Sequence, residues 1–455
     1  YAAFLAGKAP VPEATGIEPG PMPAHLFDFQ DHCTAFALRR GRAGIYLDTG
    51  LGKSAVQLEW CRQAAEATNG WALILTPLAV ARQFEREGRR WGYDIRVIRD
   101  QSEAGRGINV CNYDRLDKLN PSAFGAVSLD EADILCNFMG ATSNALKEAF
   151  ADHRFRLCAT ATPAPNDPTE LAQHAEFLGI MTRSEMLMRW FVNDTATASQ
   201  TWRLKGHAVQ SFYDWLGSWS RMAENPADLG FDGSRFVLDP FRLIRHRVEA
   251  GAPVPTDGLF DAAASATTMH EIKRATAGVR AALAASLVAR EPNEPWLLWC
   301  DSDAEADAIK AAIPSASEIR GSHTPEHKES VISAFQEGGV DILVTKPSIA
   351  GAGINLQRCA RVIFVGRTFS YRAWYQAVRR CWRFGQTRQV HVHIIVAEGE
   401  DQIGRVIERK AENHSAMKAA MRAAMMRDRA ESAERKVAYR PTHWVEWPDW
   451  LRSAG

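Results

Sequence analysis

Short apolar runs alternate with helix-patterned stretches over two separate parts of the chain. In the first part, Ala43-Gly-Ile-Tyr-Leu47 reads as a strand entering a Gly-rich turn, and Ala55–Ala67 has helical spacing. Trp71-Ala-Leu-Ile-Leu-Thr76 is a second strand, followed by a helix near Val80–Trp91. Ile108–Asn112, Ala126–Leu129 and Arg156–Ala159 supply three more strands. Strands alternating with helices predict a parallel sheet covered on both faces. The pattern breaks after about Asn166 and turns mainly helical to about Ala289, with interruptions such as Gly251-Ala-Pro-Val-Pro-Thr-Asp-Gly258. It then resumes, with strands at Trp296–Cys300, Asp341–Thr345, Arg361–Val365 and Val390–Val396 and helices at Ala304–Ala312, Pro325–Gln336 and Tyr371–Arg383.

The expected fold class is therefore α/β, with two parallel-sheet lobes. Residues 1–25 form an extended Pro/Gly/Ala-rich arm, 26–166 a first lobe, and 167–290 a mainly helical insertion. Residues 291–400 form a second lobe, and 401–455 a C-terminal helix with a Trp-rich tail. At 455 residues each lobe is long enough to bury its own core.

Composition changes this picture little. Hydrophobic residues make up 46% and charged residues 24%, as in ordinary soluble proteins. No apolar run approaches the roughly 20 residues of a bilayer span, and the first residues do not read as a secretory signal. Eight scattered cysteines, none at C-x-x-C spacing, argue for buried reduced thiols, against a structural zinc site and for a cytoplasmic location. Net charge is zero, yet Arg367, Arg372, Arg379, Arg380, Arg383 and Arg388 follow one another with no acidic residue between them. That is a local basic patch fit for phosphates.

The chemistry starts at Asp48-Thr-Gly-Leu-Gly-Lys53-Ser54, between a strand and a helix. Backbone N–H groups and the helix N-terminus converge there on an anion. Thr49, Gly50, Leu51 and Gly52 would cradle ATP phosphates, Lys53 would reach the β- and γ-phosphates, and Ser54 would ligate Mg²⁺. Leu47 stands where the usual loop has its first Gly, and such a turn also occurs without nucleotide. The apolar strand ending in Asp130-Glu131-Ala132-Asp133 strengthens the nucleotide reading: Asp130 would hold the metal and Glu131 the attacking water. Farther on, Arg380 and Arg383, three apart on one helical face, could stabilise charge developing on the γ-phosphate. For Arg372, Arg379 and Arg388 a basic face touching solvent or phosphate backbone is the preferred reading.

From about Leu26 to about Val396 the chain resembles the Swi/Snf-type ATPases of helicase superfamily two. The first half carries Leu26-Phe-Asp-Phe-Gln30, Gly50-Leu-Gly-Lys-Ser54, Leu75-Thr-Pro-Leu78 with Gln83-Phe84, Asn112-Tyr113-Asp114-Arg115-Leu116 and Ala159-Thr-Ala-Thr162-Pro-Ala-Pro-Asn166. The second carries Ile319-Arg-Gly-Ser322, Phe335-Gln336, Gly351-Ala-Gly353-Ile-Asn355-Leu-Gln357 and Gln376 through Gln386, ending Gly385-Gln-Thr387. The resemblance implies two RecA-like lobes, Mg²⁺-dependent ATP hydrolysis between them, and movement on double-stranded DNA. It implies adenine contact by Gln30, nucleotide contact by Gly353 and Asn355, and coupling to nucleic acid through Thr160, Thr162, Gln376 and Arg379. Leu47, Thr49, Thr-Ala-Thr162, Arg379, Trp382 and the segment Val365-Gly-Arg-Thr-Phe-Ser370, which lacks an acidic residue, depart from the family pattern. The absence of a recognisable chromatin-binding module suggests a bacterial or phage-type member.

Three alternatives stay open: a strand-separating DNA or RNA helicase, a motor subunit whose main job is to recruit a nuclease or methylase, and a nucleotide-gated clamp with vestigial hydrolysis. A protein partner, if there is one, would be a nuclease or a replication or repair factor. Trp215 and Trp219, four apart, read as helix core. His391 and His393 read as ordinary sheet residues. The charged tail reads as a solvated helix face, anchored by Trp444, Trp447 and Trp450.

Overall fold

The computed structural model describes residues 12–77, 80–136, 140–194, 201–249, 266–350, 354–366, 370–397 and 401–435. The first lobe is built on strands that, apart from one short edge strand, are mostly apolar and buried along nearly their whole length, as strands covered on both faces must be. They are β1 (Arg42–Leu47), β2 (Trp71–Thr76), β3 (Ile95–Val97), β4 (Gly107–Asn112), β5 (Ala126–Asp130) and β6 (Phe155–Ala159). Helices Asp28–Arg40, Lys53–Glu66 and Ala81–Arg90 belong to the same lobe. All strand pairs are parallel and the order is β3-β4-β2-β5-β6-β1. In a parallel sheet every strand ends on the same edge, so this order sets the ends of β5, β6 and β1 side by side.

Residues 167–290 do more than the expected helical insertion. They contain helices Leu171–Phe177, Arg183–Trp190, Val209–Trp219 and Ala266–Arg290, and an antiparallel pair, β7 (Phe191–Asp194) with β8 (Thr201–Leu204). They also give each lobe an edge strand: β9 (Ser220–Ala223) lies parallel to β1, with Tyr46 opposite Met222, and β10 (Arg242–Val248) lies beside the second sheet. Neither is apolar enough to announce itself, since Arg221 interrupts β9 and Arg242, Arg245 and Arg247 interrupt β10. The stretch 251–258 lies outside the described residues. Trp215 and Trp219 are buried in the first lobe's core, where their rings meet edge to face.

The second sheet comprises β11 (Trp296–Trp299), β12 (Ser317–Glu318), β13 (Ile342–Thr345), β14 (Arg361–Phe364) and β15 (His391–Ala397), in the order β10-β15-β14-β11-β13-β12. The two parallel α/β lobes expected from the sequence are thus both present. One expected helix is shorter than its pattern: Tyr371–Val378 ends five residues before Arg383. The Arg380 carbonyl accepts instead from the Leu356 amide (3.0 Å), which draws the chain out of the helix.

The last described helix, Asp401–Arg435, carries an apolar stripe as well as charge. Ile407 packs in the second lobe's core, and Met417, Met421, Ala424 and Met425 pack in the first lobe's. Lys418–Glu224 (2.7 Å), Arg422–Asp228 (2.8 Å) and Arg427–Asp214 (2.7 Å) flank that stripe. One face of this helix is therefore docked rather than solvated; Trp444, Trp447 and Trp450 lie outside the described residues. No helix among the described residues is long and apolar enough to cross a membrane. The eight cysteines form no disulfide, and all but the half-buried Cys136 are buried.

Candidate nucleotide site between the lobes

The loop after β1 has the curvature of an anion cradle. Gly50 and Gly52 adopt positive φ (94° and 75°). A Cβ at Gly52 would stand 2.3 Å from Gln30 Nε2, and one at Gly50 would stand 2.9 Å from the Phe384 backbone nitrogen. Only glycine fits either position. Gln30 tethers the loop: its Oε1 accepts from the Phe27 amide (3.0 Å) and its Nε2 donates to the Leu51 carbonyl (2.9 Å). Lys53 Nζ folds back on the Leu47 carbonyl (2.9 Å), and Ser54 follows in the first helical turn. Burial pushes the Lys53 amine below its usual range, against the fields of Glu131, Asp130 and Asp48. Thr49 and Leu51 line a cavity of about 390 Å³ beside the loop, walled also by Phe236, Tyr375 and Phe384.

Across the β1–β6–β5 edge, Asp130 ends its strand buried. Its carboxylate accepts from Gln57 Nε2 (2.9 Å) and Thr76 Oγ1 (3.1 Å), while Ser128 holds the other end of Gln57 (2.8 Å). Burial and the Glu131 charge push Asp130 up to about 6, against Gln57 and Lys53. Glu131 has φ 51°, the one positive value at a non-glycine residue among those described. That left-handed turn is costly for a residue with a Cβ and separates the directions of the two carboxylates. Oxygen donors at Ser54 and Asp130, beside the glycine cradle, fit a hard divalent cation such as Mg²⁺.

Thr160 and Thr162 follow β6. Thr160 Oγ1 reaches Glu131 (3.4 Å), and Thr162 Oγ1 donates to Asp133 (2.9 Å). Asp133 is where the lobes meet. Gln376 Nε2 approaches it (3.4 Å), and Arg372 grips it with two bonds, Nε–Oδ2 2.5 Å and Nη2–Oδ1 2.8 Å. Burial pushes the Asp133 carboxyl up to about 7, against the pull of Arg372.

The two inner arginines separate. Arg380, 2% exposed, is held by its own lobe through Gln376 (Nε–O 2.9 Å) and Ile354 (Nη1–O 3.3 Å). Burial lowers its pKa, and the acidic fields it feels are those of Glu131 and Asp130. Arg383 is pushed down to about 10 by burial and by Arg380, and its acidic neighbour is Glu87; its Nε has no hydrogen-bond partner among the described residues. Asn355 is engaged within the second lobe, accepting from Gln357 and Gln336. It lines a polar cavity of about 780 Å³ together with Gln83 and Glu87 of the first lobe. Gly353 and Arg367 lie outside the described residues.

Of the three outer arginines, only Arg388 sits at the surface, paired with Glu294 (2.6 Å). Arg372 and Arg379 cross the cleft instead, Arg372 to Asp133 and Arg379 to Asp48 (3.0 Å) and the Thr49 carbonyl (2.6 Å). The sequence pointed to no role for Asp48, Asp133, Tyr375 or Gln57, and placed Arg372 on a solvent- or phosphate-facing surface rather than across the cleft. Asp133 had a local signal, three residues after Asp130 and so returned to the same side by one tight turn. The others are functional candidates only because folding sets them against partners far away in sequence.

Residues 279–385 match the helicase conserved C-terminal domain. The chain is 32% identical over 98 residues to human TATA-binding protein-associated factor 172, a match covering 21% of this chain and 5% of that protein. It is 30% identical over 94 residues to the putative ATP-dependent helicase/translocase YwqA of Bacillus subtilis, covering 20% of this chain and 10% of that one. The matches thus span a small fraction of these relatives' length. A Sulfolobus solfataricus SWI2/SNF2 ATPase core solved in complex with dsDNA aligns over 90% of this chain and 95% of that one, at 19% identity and a TM-score of 0.42. The matched domain and the curated relatives bear out the resemblance to Swi/Snf-type ATPases of helicase superfamily two.

Proposed function

We propose that this chain hydrolyses ATP between its two lobes and uses the cycle to move along double-stranded DNA. The observation that carries the reading is one juxtaposition. Lys53 and the glycine loop, the Asp130–Glu131 pair and Arg380 come from three elements and two lobes, yet share one electrostatic neighbourhood. That combination suits a phosphoryl group in transfer, where positioning and charge stabilisation supply most of the catalysis.

The loop amides and Lys53 bind the phosphates, and the cavity beside Leu51, Phe236 and Phe384 receives the nucleoside. Ser54 and Asp130 would hold Mg²⁺, which when bound neutralises phosphate charge. Glu131 orients the attacking water and takes its proton, and Arg380 answers the charge that develops on the γ-phosphate. Thr162, Gln376 and Arg372 meet on Asp133, two residues from Glu131, so a shift of the second lobe reaches the carboxylate that handles water. Closure and reopening of this contact set would convert hydrolysis into a step.

Duplex DNA as the track rests on the Swi/Snf-type resemblance, including Gly385-Gln-Thr387. ATP turnover measured side by side without nucleic acid and with single-stranded DNA, duplex DNA and duplex RNA tests it. Duplex DNA is expected to stimulate most, with binding that weakens steeply with salt as phosphate contacts release counterions. Stimulation by RNA alone would overturn the choice of track, and absence of turnover under every condition would overturn the enzyme.

A further inference from the structure

Arg379 lines the cavity beside the loop but has no part in the phosphate chemistry proposed for Lys53, Glu131 and Arg380, yet the structure commits it fully. Asp48 ends the turn out of β1 and opens the phosphate loop, and its carboxylate is held mainly from across the cleft. Oδ1 accepts from Tyr375 Oη (2.7 Å) as well as from the adjacent Thr49 amide (2.7 Å), and Oδ2 pairs with Arg379 Nη2 (3.0 Å). Arg379 Nη2 also donates to the Thr49 carbonyl (2.6 Å), and its guanidinium lies 4.7 Å from the Trp382 ring centre. Tyr375 and Arg379 stand four residues apart at the end of one helix, so both reach the same point. Asp48 is 6% and Arg379 5% exposed. At that depth each charge leans mainly on the other, with Lys418 a second cation acting on Asp48 and Glu224 a second anion acting on Arg379, because a buried charge that loses its chief partner cannot regain its hydration.

The loop is thereby fastened to the second lobe at its first residue, while Gly50 passes against the Phe384 backbone. We propose that Arg379 and Tyr375 form a latch on Asp48 that holds the phosphate loop closed, so that parting of the lobes and release of nucleotide from the loop are one event. The inference rests on the ATP-binding reading above. Arg379 is a positioning residue: it acts on the phosphates only through the loop that it grips.

The test follows release of N-methylanthraniloyl-ADP by stopped-flow fluorescence from the full chain, its Arg379→Ala, Asp48→Ala and doubly substituted forms, and Arg96→Ala. Arg96 removes a cation from an exposed pair with Asp94 (3.1 Å) and serves as the charge control. Each latch substitution is expected to speed release by about tenfold or more, as loss of one partner of a buried pair requires. The double form should release no faster than the single ones, and Arg96→Ala should match wild type. Should Arg379→Ala not fold, Tyr375→Phe deletes only one hydroxyl and is expected to speed release several-fold. Wild-type release rates in the latch variants, or effects that multiply in the double form, would overturn the latch. Failure of the wild-type chain to retain the analogue would overturn the nucleotide reading and the latch with it, a result visible before any substitution is made.

Discussion

At the scale of single residues, the site divides labour between groups that look alike in sequence. Asp130 and Glu131 are neighbours, but the left-handed backbone at Glu131 turns them to different partners, Gln57 and Thr76 for one and Thr160 for the other. Glu131→Gln should therefore keep nucleotide binding and lose turnover by about 10²-fold or more, the range of general acid–base effects. Lys53→Ala should instead lose binding. Equilibrium binding of the fluorescent analogue beside steady-state turnover separates the two, and a Glu131→Gln form that turns over normally would remove Glu131 from its role. Arg380 and Arg383 divide in the same way, since Arg380 feels the charges of the Asp130–Glu131 pair while the acidic neighbour of Arg383 is Glu87. Arg380→Ala should cut DNA-saturated turnover by about 10³-fold, the scale of an arginine finger. Arg380→Lys should recover little, because a point charge cannot replace the planar fork. Arg383→Ala should cost much less. If low salt restored Arg380→Ala to wild-type turnover, Arg380 would be a phosphate-backbone contact.

At the scale of elements, the ends of β1, β5 and β6 were readable because buried parallel strands are short, apolar runs, and a Gly-rich loop or an Asp-Glu pair punctuates them. The strands β9 and β10 were not, since their residues are no more apolar than a loop's and pairing alone makes them strands. One packing of helix on sheet has a measurable consequence. His174, on Leu171–Phe177, is fully buried beside β1, where its Nδ1 meets Tyr46 Oη (3.2 Å). Burial lowers its pKa to about 3. The unfolded chain therefore binds a proton that the folded chain refuses, so the stability this site contributes is complete above about pH 6.5 and declines as pH falls toward 3. Between pH 7.5 and pH 5 the loss attributable to His174 should be about 2 kcal/mol. Urea unfolding at both pH values should show that difference shrinking by this amount in His174→Gln. An unchanged difference would mean that His174 titrates normally in the fold.

At the scale of the whole molecule, two sheets are joined by contacts that no local pattern foretells. The helix Asp401–Arg435 places Ile407 in one core and Met417, Met421 and Met425 in the other, so it ties the lobes together. Met421 is 1% exposed, and Met421→Ala should cost about 2–5 kcal/mol by urea unfolding, whereas Met421→Leu, close in volume, should cost less than about 1.5. Equal and negligible losses in both would show that the helix does not bear on the cores. The sequence by itself determined the two α/β lobes, the Gly-rich loop with Lys53 and the Asp130–Glu131 strand end, because each is written in consecutive residues whose period and chemistry act locally. Only the tertiary structure decided which partner each arginine meets. Arg372, Arg379, Arg380 and Arg383 lie within twelve residues of one another, and their sequence gives them one character. Their fates differ because the helix stops at Val378, the Arg380 carbonyl is taken by Leu356, and the facing lobe offers Asp133, Asp48, Glu131 and Glu87 at four separate places. A buried charge must find its counter-charge in space, and that partner is fixed only once the whole chain has folded.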